Sequence, residues 1–87
     1  MTVRHAHFGR KLANPIMPKA GPGAAATLRS LDDCAHLIGS LYTWRQARPH
    51  WEYCAELILV AARTGRRADV DAAGAQMERA LRCEGWL

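Results

Sequence analysis

The chain has 87 residues, 49% of them hydrophobic and 23% charged, with a formal net charge of +4. One domain is all that this length holds, and its core is small, because a chain of this size buries only about 60–65% of the surface it exposes when unfolded. A disordered chain and a multidomain enzyme are excluded, and the longest apolar run, the six residues Leu57 to Ala62, falls far short of the roughly 20 that a membrane helix needs.

The charge is uneven. Residues 1–29 carry Arg4, Arg10, Lys11, Lys19 and Arg29 and no acid, a balance of +5, whereas residues 30–87 carry seven arginines against eight acids, or −1. A basic leader of this kind can touch nucleic acid, or can be a solvated terminus that aids solubility. Its charges are too dilute to resemble the dense basic runs that signal nucleic acid. No apolar stretch of roughly 7–15 residues follows them, so no secretory signal is expected. Cys34, Cys54 and Cys83 are three in number and form no Cys-x-x-Cys pair. Free thiols fit a reducing, cytoplasmic setting.

In chain order, residues 1–13 have no clean period and read as a basic N-terminal arm. Residues 14–87 read as a single domain. Two short runs, 15–19 and 24–29, flank Gly21-Pro22-Gly23, a turn signal that suggests a β-hairpin. Pro15 and Pro18 cannot donate to a ladder, which makes the first run an edge strand.

Ser30 with Asp33 forms a variant of the capping box, and Asp32 and Asp33 complement the helix dipole. Leu31, Cys34, Ala35, Ile38, Leu41 and Tyr42 then give one apolar stripe, so the first helix is expected at about 31–43. Pro49 suits the first position of a second helix, at about 49–64, which Gly65 closes. Trp51, Cys54, Ala55, Ile58, Ala61 and Ala62 share a face, and Leu57, Leu59 and Val60 widen it nearly all round. That predicts a central helix buried on more than one side. Val70, Ala73, Gly74, Met77, Ala80, Leu81 and Glu84 give the third helix, at about 69–84, and all but Glu84 are apolar or small. The expected fold is therefore α+β: a hairpin packed on three helices.

These features, taken in order, resemble the bacterial family catalogued as domain of unknown function 982. The resemblance rests on Pro15-Ile16-Met17, Gly21-Pro22-Gly23, Leu28-Arg29-Ser30 leading into Asp33-Cys34-Ala35, Leu41 with Trp44, Trp51 with Gly65, and Ala73, Ala75, Met77, Ala80 and Gly85. It covers residues 14–87. The chain departs from the family where Arg45 follows Trp44 in place of proline, and at Gly74 and Met77, where the family often has arginine and phenylalanine. The resemblance implies the α+β architecture and no activity, since the family has none established.

Sites are few. His5 and His7 would share a face of a strand, yet nothing in the leader completes a metal set. His50 and Cys54 lie one turn apart, the one spacing that suits a Cys–His nucleophile or a pair of ligands. Neither Glu52 nor Glu56 sits on that face to orient the pair, and a chain this short has little room for a cleft. Walker, Rossmann and serine-elbow motifs do not occur. No catalysis, metal or cofactor is expected. Trp44 beside Arg45 and Arg48 is the best candidate for an exposed anchor that binds a partner. The expectation is a non-catalytic protein-interaction module. The open strand edge suggests a homodimer. The alternative is weak nucleic-acid binding through Arg4, Arg10, Lys11 and Lys19.

Overall fold

Ser30 has an extended backbone and its hydroxyl accepts from the Asp33 amide at 3.3 Å, which starts the first helix where the capping signal lies. A computed structural model of the chain describes residues 6–24 and 26–87. Its elements run β1 (Lys11–Ile16), β2 (Leu28–Ser30), α1 (Leu31–Gly39), α2 (Thr43–Gln46), α3 (Pro49–Thr64) and α4 (Arg67–Cys83). The fold is α+β, a two-stranded antiparallel sheet followed by helices.

The hairpin is wider than the turn signal predicts. The described residues between β1 and β2 form the connection rather than strand, and β1 begins inside the stretch read as an arm. Pro18 and the small residues from Ala20 to Ala24 make poor ladder residues, which moves the pairing outward, and Pro15 falls in the irregular stretch of β1. Lys11 pairs with Ser30 and Ile16 with Leu28, so five steps on β1 match two on β2 and the strand bulges between them. Leu12, Ile16 and Leu28 still reach the core.

The first helix stops earlier than its apolar stripe predicts. After Gly39, the Ser40 hydroxyl donates to the Leu37 carbonyl at 2.6 Å and ends the ladder. Leu41 is buried, but Tyr42 is extended and opens α2, a one-turn helix with no buried residue. Gln46 ties that turn to the Ile38 and Leu41 carbonyls at 2.9 and 3.1 Å. Helix α3 matches its expected range and ends on Gly65, at φ 65°. The third expected helix, α4, starts two residues earlier than predicted.

Helices α3 and α4 make the most extensive contact in the fold. Trp51, Cys54, Ile58, Ala61 and Ala62 of α3 meet Val70, Ala73, Met77, Ala80 and Leu81 of α4 in one cluster, joined by Leu31, Cys34 and Leu37 of α1. The small residues of α4 let the two helices approach closely. Helix α3 is buried toward α4 and α1, as its wide apolar face predicts, but not all round. Its outer face is open, and Tyr53 and Leu59 stand in solvent. Among the described residues the sheet has two strands and rests on α1 and α4, and none of them covers that side of α3.

Gly21 has φ +79°, and a Cβ there would stand 2.4 Å from the Trp86 ring. That ring is itself packed against Trp51 and Arg45, so it cannot retreat. Gly21→Ala should therefore destabilise the protein by roughly 2–3 kcal/mol, from left-handed strain plus overpacking. Urea denaturation reads this as a lowered midpoint with an unchanged slope.

Candidate functional site

Glu84 caps the C-terminus of α4, one helical step beyond the buried stripe of that helix. Its side chain is only 3% exposed. A buried carboxylate must be paired and hydrogen-bonded, and donors from two other segments converge on it. The Trp51 indole Nε1–H donates to Oε2 at 2.8 Å, and His50 Nε2–H donates to the same oxygen at 3.0 Å. The Arg45 guanidinium donates to Oε1, and Arg48 Nη1 lies 3.8 Å from it. Burial alone would raise the carboxyl pKa. The hydrogen bonds from Trp51 and His50 and the charges of Arg45 and Arg48 outweigh that, and hold it below the ordinary glutamate range.

Local sequence places each donor. Pro49 starts α3, which puts His50 and Trp51 in its first turn, with Arg48 at the cap. The one-turn α2 carries Arg45 across the gap between α1 and α3. Gln76, buried on α4, donates to the His50 carbonyl at 3.2 Å and pins the same turn from below.

Aromatic rings surround the cluster. The Arg45 guanidinium lies 4.5 Å from the Trp44 ring centre and 5.1 Å from that of Trp86. Arg48 lies 5.2 Å from Trp44, and Trp86 packs on Trp51 with ring centres 6.1 Å apart. The three tryptophans thus divide their work. Trp51 is fully buried and Trp86 half-buried, while Trp44 is 57% exposed. The expected trio Trp44, Arg45 and Arg48 is brought together. Arg45 turns inward to Glu84, and Trp44 and much of Arg48 face solvent.

Other sequence candidates are not brought together. His50 serves Glu84, whereas the Cys54 thiol points to the Met77 sulfur at 3.6 Å, so the two form no nucleophilic pair. Three surface cavities, of about 230, 310 and 550 Å³, include neither residue. Among the described residues no group of three or more His, Cys, Asp or Glu could hold a metal. His5 and Arg4 lie outside the described residues. Arg10, Lys11 and Lys19 are all exposed. The Lys11 carbonyl accepts from Arg67 at the start of α4, but the Lys19 amide donates to the Trp86 carbonyl beyond its end. A helix of 17 residues separates these anchors by about 25 Å, so Lys11 and Lys19 are tied to opposite ends of α4.

Glu84 was the residue that sequence reasoning passed over. Its signal was present: an acid on the apolar stripe of a helix needs buried partners, and a buried indole N–H needs an acceptor. No family model, curated protein or solved structure matches the chain.

Two tests follow from this chemistry. Folding lowers the Glu84 pKa, so the stability it adds is present above the ordinary glutamate value of about 4.3 and is lost as pH falls through the lowered value. Glu84→Gln should cost about 3 kcal/mol at neutral pH, the low end for removing one partner of a buried pair, because Arg45 and Arg48 can turn to water. The gap between wild type and variant in urea midpoint should narrow as pH drops below about 4. Burial pushes the Cys54 thiol up to about 12, and burial with the charges of Cys54 and Asp33 does the same to Cys34. Iodoacetamide at about pH 8 should therefore label only the exposed Cys83 in the native protein, and all three cysteines in denaturant.

Proposed function

We propose that this chain is a non-catalytic interaction module that binds a partner protein through the α2 face. Trp44 and Arg48 make the contact, and Arg45 fixes Trp44 in place. One observation carries the reading: an indole more than half exposed, with two guanidinium groups on its ring, on a helix that buries no residue of its own. A one-turn helix gains nothing in the core by presenting a tryptophan to water. Tryptophan, tyrosine and arginine are the residues that dominate binding energy at interfaces, and Tyr42, also exposed, adjoins Trp44. Preorganisation adds to this, since Arg45 is already ordered by Glu84 and loses little freedom on binding.

The alternative, weak nucleic-acid binding by Arg4, Arg10, Lys11 and Lys19, has less support, because the anchors of Lys11 and Lys19 lie at opposite ends of α4. A cytoplasmic setting belongs to the same proposal and is supported by the free cysteines. So does membership of the domain of unknown function 982 family, which the order of motifs in residues 14–87 supports. Among the described residues no helix is long and apolar enough to cross a membrane.

Trp44→Ala should cost no more than about 2 kcal/mol, because each of its two cation–π pairs is worth about 0.5–1 at an exposed site, and Arg48→Gln, which removes a charge 3.8 Å from Glu84 without adding a second acid, should cost about 1. Both should abolish binding of a partner that wild type captures and that re-forms the complex from purified components. A purified partner that binds both variants as well as wild type would remove the α2 face from the proposal.

A further inference from the structure

Helix α3 reads in sequence as buried on several sides, yet its outer face is open. Leu59 is 54% exposed and Tyr53 51%. Along the centre of that face run Glu52, Glu56, Leu59 and Arg63, all exposed, at spacings of four, three and four. At 3.6 residues per turn these four fall within an arc of about 60°.

The order of charge on this stripe is acid, acid, leucine, base. The helix dipole favours that order, so on its own it says nothing of a partner. Two further facts do. Glu52 and Glu56 are like charges one turn apart, a pair that destabilises an isolated helix. Among the described residues, neither they nor Arg63 takes part in an ion pair. The stripe thus holds uncompensated charges of opposite sign on either side of an unburied leucine.

Such a face is complementary to itself run backwards. We propose that α3 packs antiparallel on α3 of a second copy, about a two-fold axis between Leu59 and Val60. That axis lies about 5 Å along the helix from both Glu56 and Arg63, so each Glu56 stands level with Arg63 of the second copy. The two Leu59 side chains and the half-buried Val60 meet at the centre. Glu52 faces the end of the second copy that carries Arg66, exposed and outside any ion pair among the described residues. At the 8–10 Å spacing typical of packed helices, arginine spans the gap. The interface is isologous, as a two-fold dimer requires. One helix pair buries less than the roughly 1,600 Å² of a standard interface, which puts the expected dimer among weak, transient associations. This surface is separate from the α2 face and does not depend on it.

Sedimentation equilibrium on the full chain at about 10–500 µM is the test. Wild type should dimerise. Leu59→Glu should remove the dimer, and Glu56→Arg and Arg63→Glu should each weaken it about tenfold, by placing like charges across the axis. An equimolar mixture of those two single variants should regain wild-type association, since each supplies the charge the other lacks. A role within one chain predicts no such recovery. Trp44→Ala should dimerise like wild type, which separates this proposal from the α2 reading. A wild-type chain that stays monomeric throughout, or a mixture no tighter than its components, overturns the proposal.

Discussion

A carboxylate taken out of water costs several kcal/mol even after the protein relaxes around it, and the cost is offset only where donors are already in place. Glu84 is such a carboxylate. Its two oxygens gather Trp51 and His50 from the start of α3, Arg48 from the cap of that helix and Arg45 from α2. The C-terminus of α4 is thereby tied to segments more than thirty residues earlier in the chain. Trp86 then follows Gly85, at φ +76°, back onto Trp51 and Arg45, and its carbonyl holds the hairpin connection through the Lys19 amide. The one-turn helix and the helical pair meet at this acid, and the hairpin connection reaches it through Trp86. In a core as small as this one, a polar node of that kind fixes one packing arrangement among several that apolar contacts alone would allow.

Local signals made much of the fold legible. Ser30 with Asp33, Pro49 and Gly65 mark helix ends through groups that satisfy or forbid backbone bonds, and those ends lie where the signals stand. Failures came where a tertiary partner decides. The stripe through Leu41 and Tyr42 continues the helical period, but the Ser40 hydroxyl takes the Leu37 carbonyl and the chain turns. The apolar run Leu57–Val60 predicts a helix buried on more than one side, yet Leu59 stays in solvent. A two-stranded sheet, resting on α1 and α4, cannot supply the missing side. Glu84 was visible only as an exception in a pattern. Naming its donors required knowing that α2 and the start of α3 fold back beside it.

Trp44, Arg45 and Arg48 were the part of the candidate site that sequence identified. The reason is chemical: an aromatic followed by two arginines in a short connection has no core to enter. Sequence could not divide their roles. Arg45 is spent on Glu84, with its guanidinium against two indoles, whereas Arg48 stands 3.8 Å from the acid and keeps most of its donors for solvent.

That division bears on how the α2 face can work. A partner that captured Arg45 would take away the guanidinium hydrogen-bonded to the buried Glu84, and would bear the cost of an under-paired charge. A partner that captures Arg48 and covers Trp44 leaves the node intact. The carboxylate therefore does more than hold helices together. It holds Arg45, whose guanidinium in turn lies on the Trp44 ring, so the acid reaches α2 although that helix buries no residue of its own.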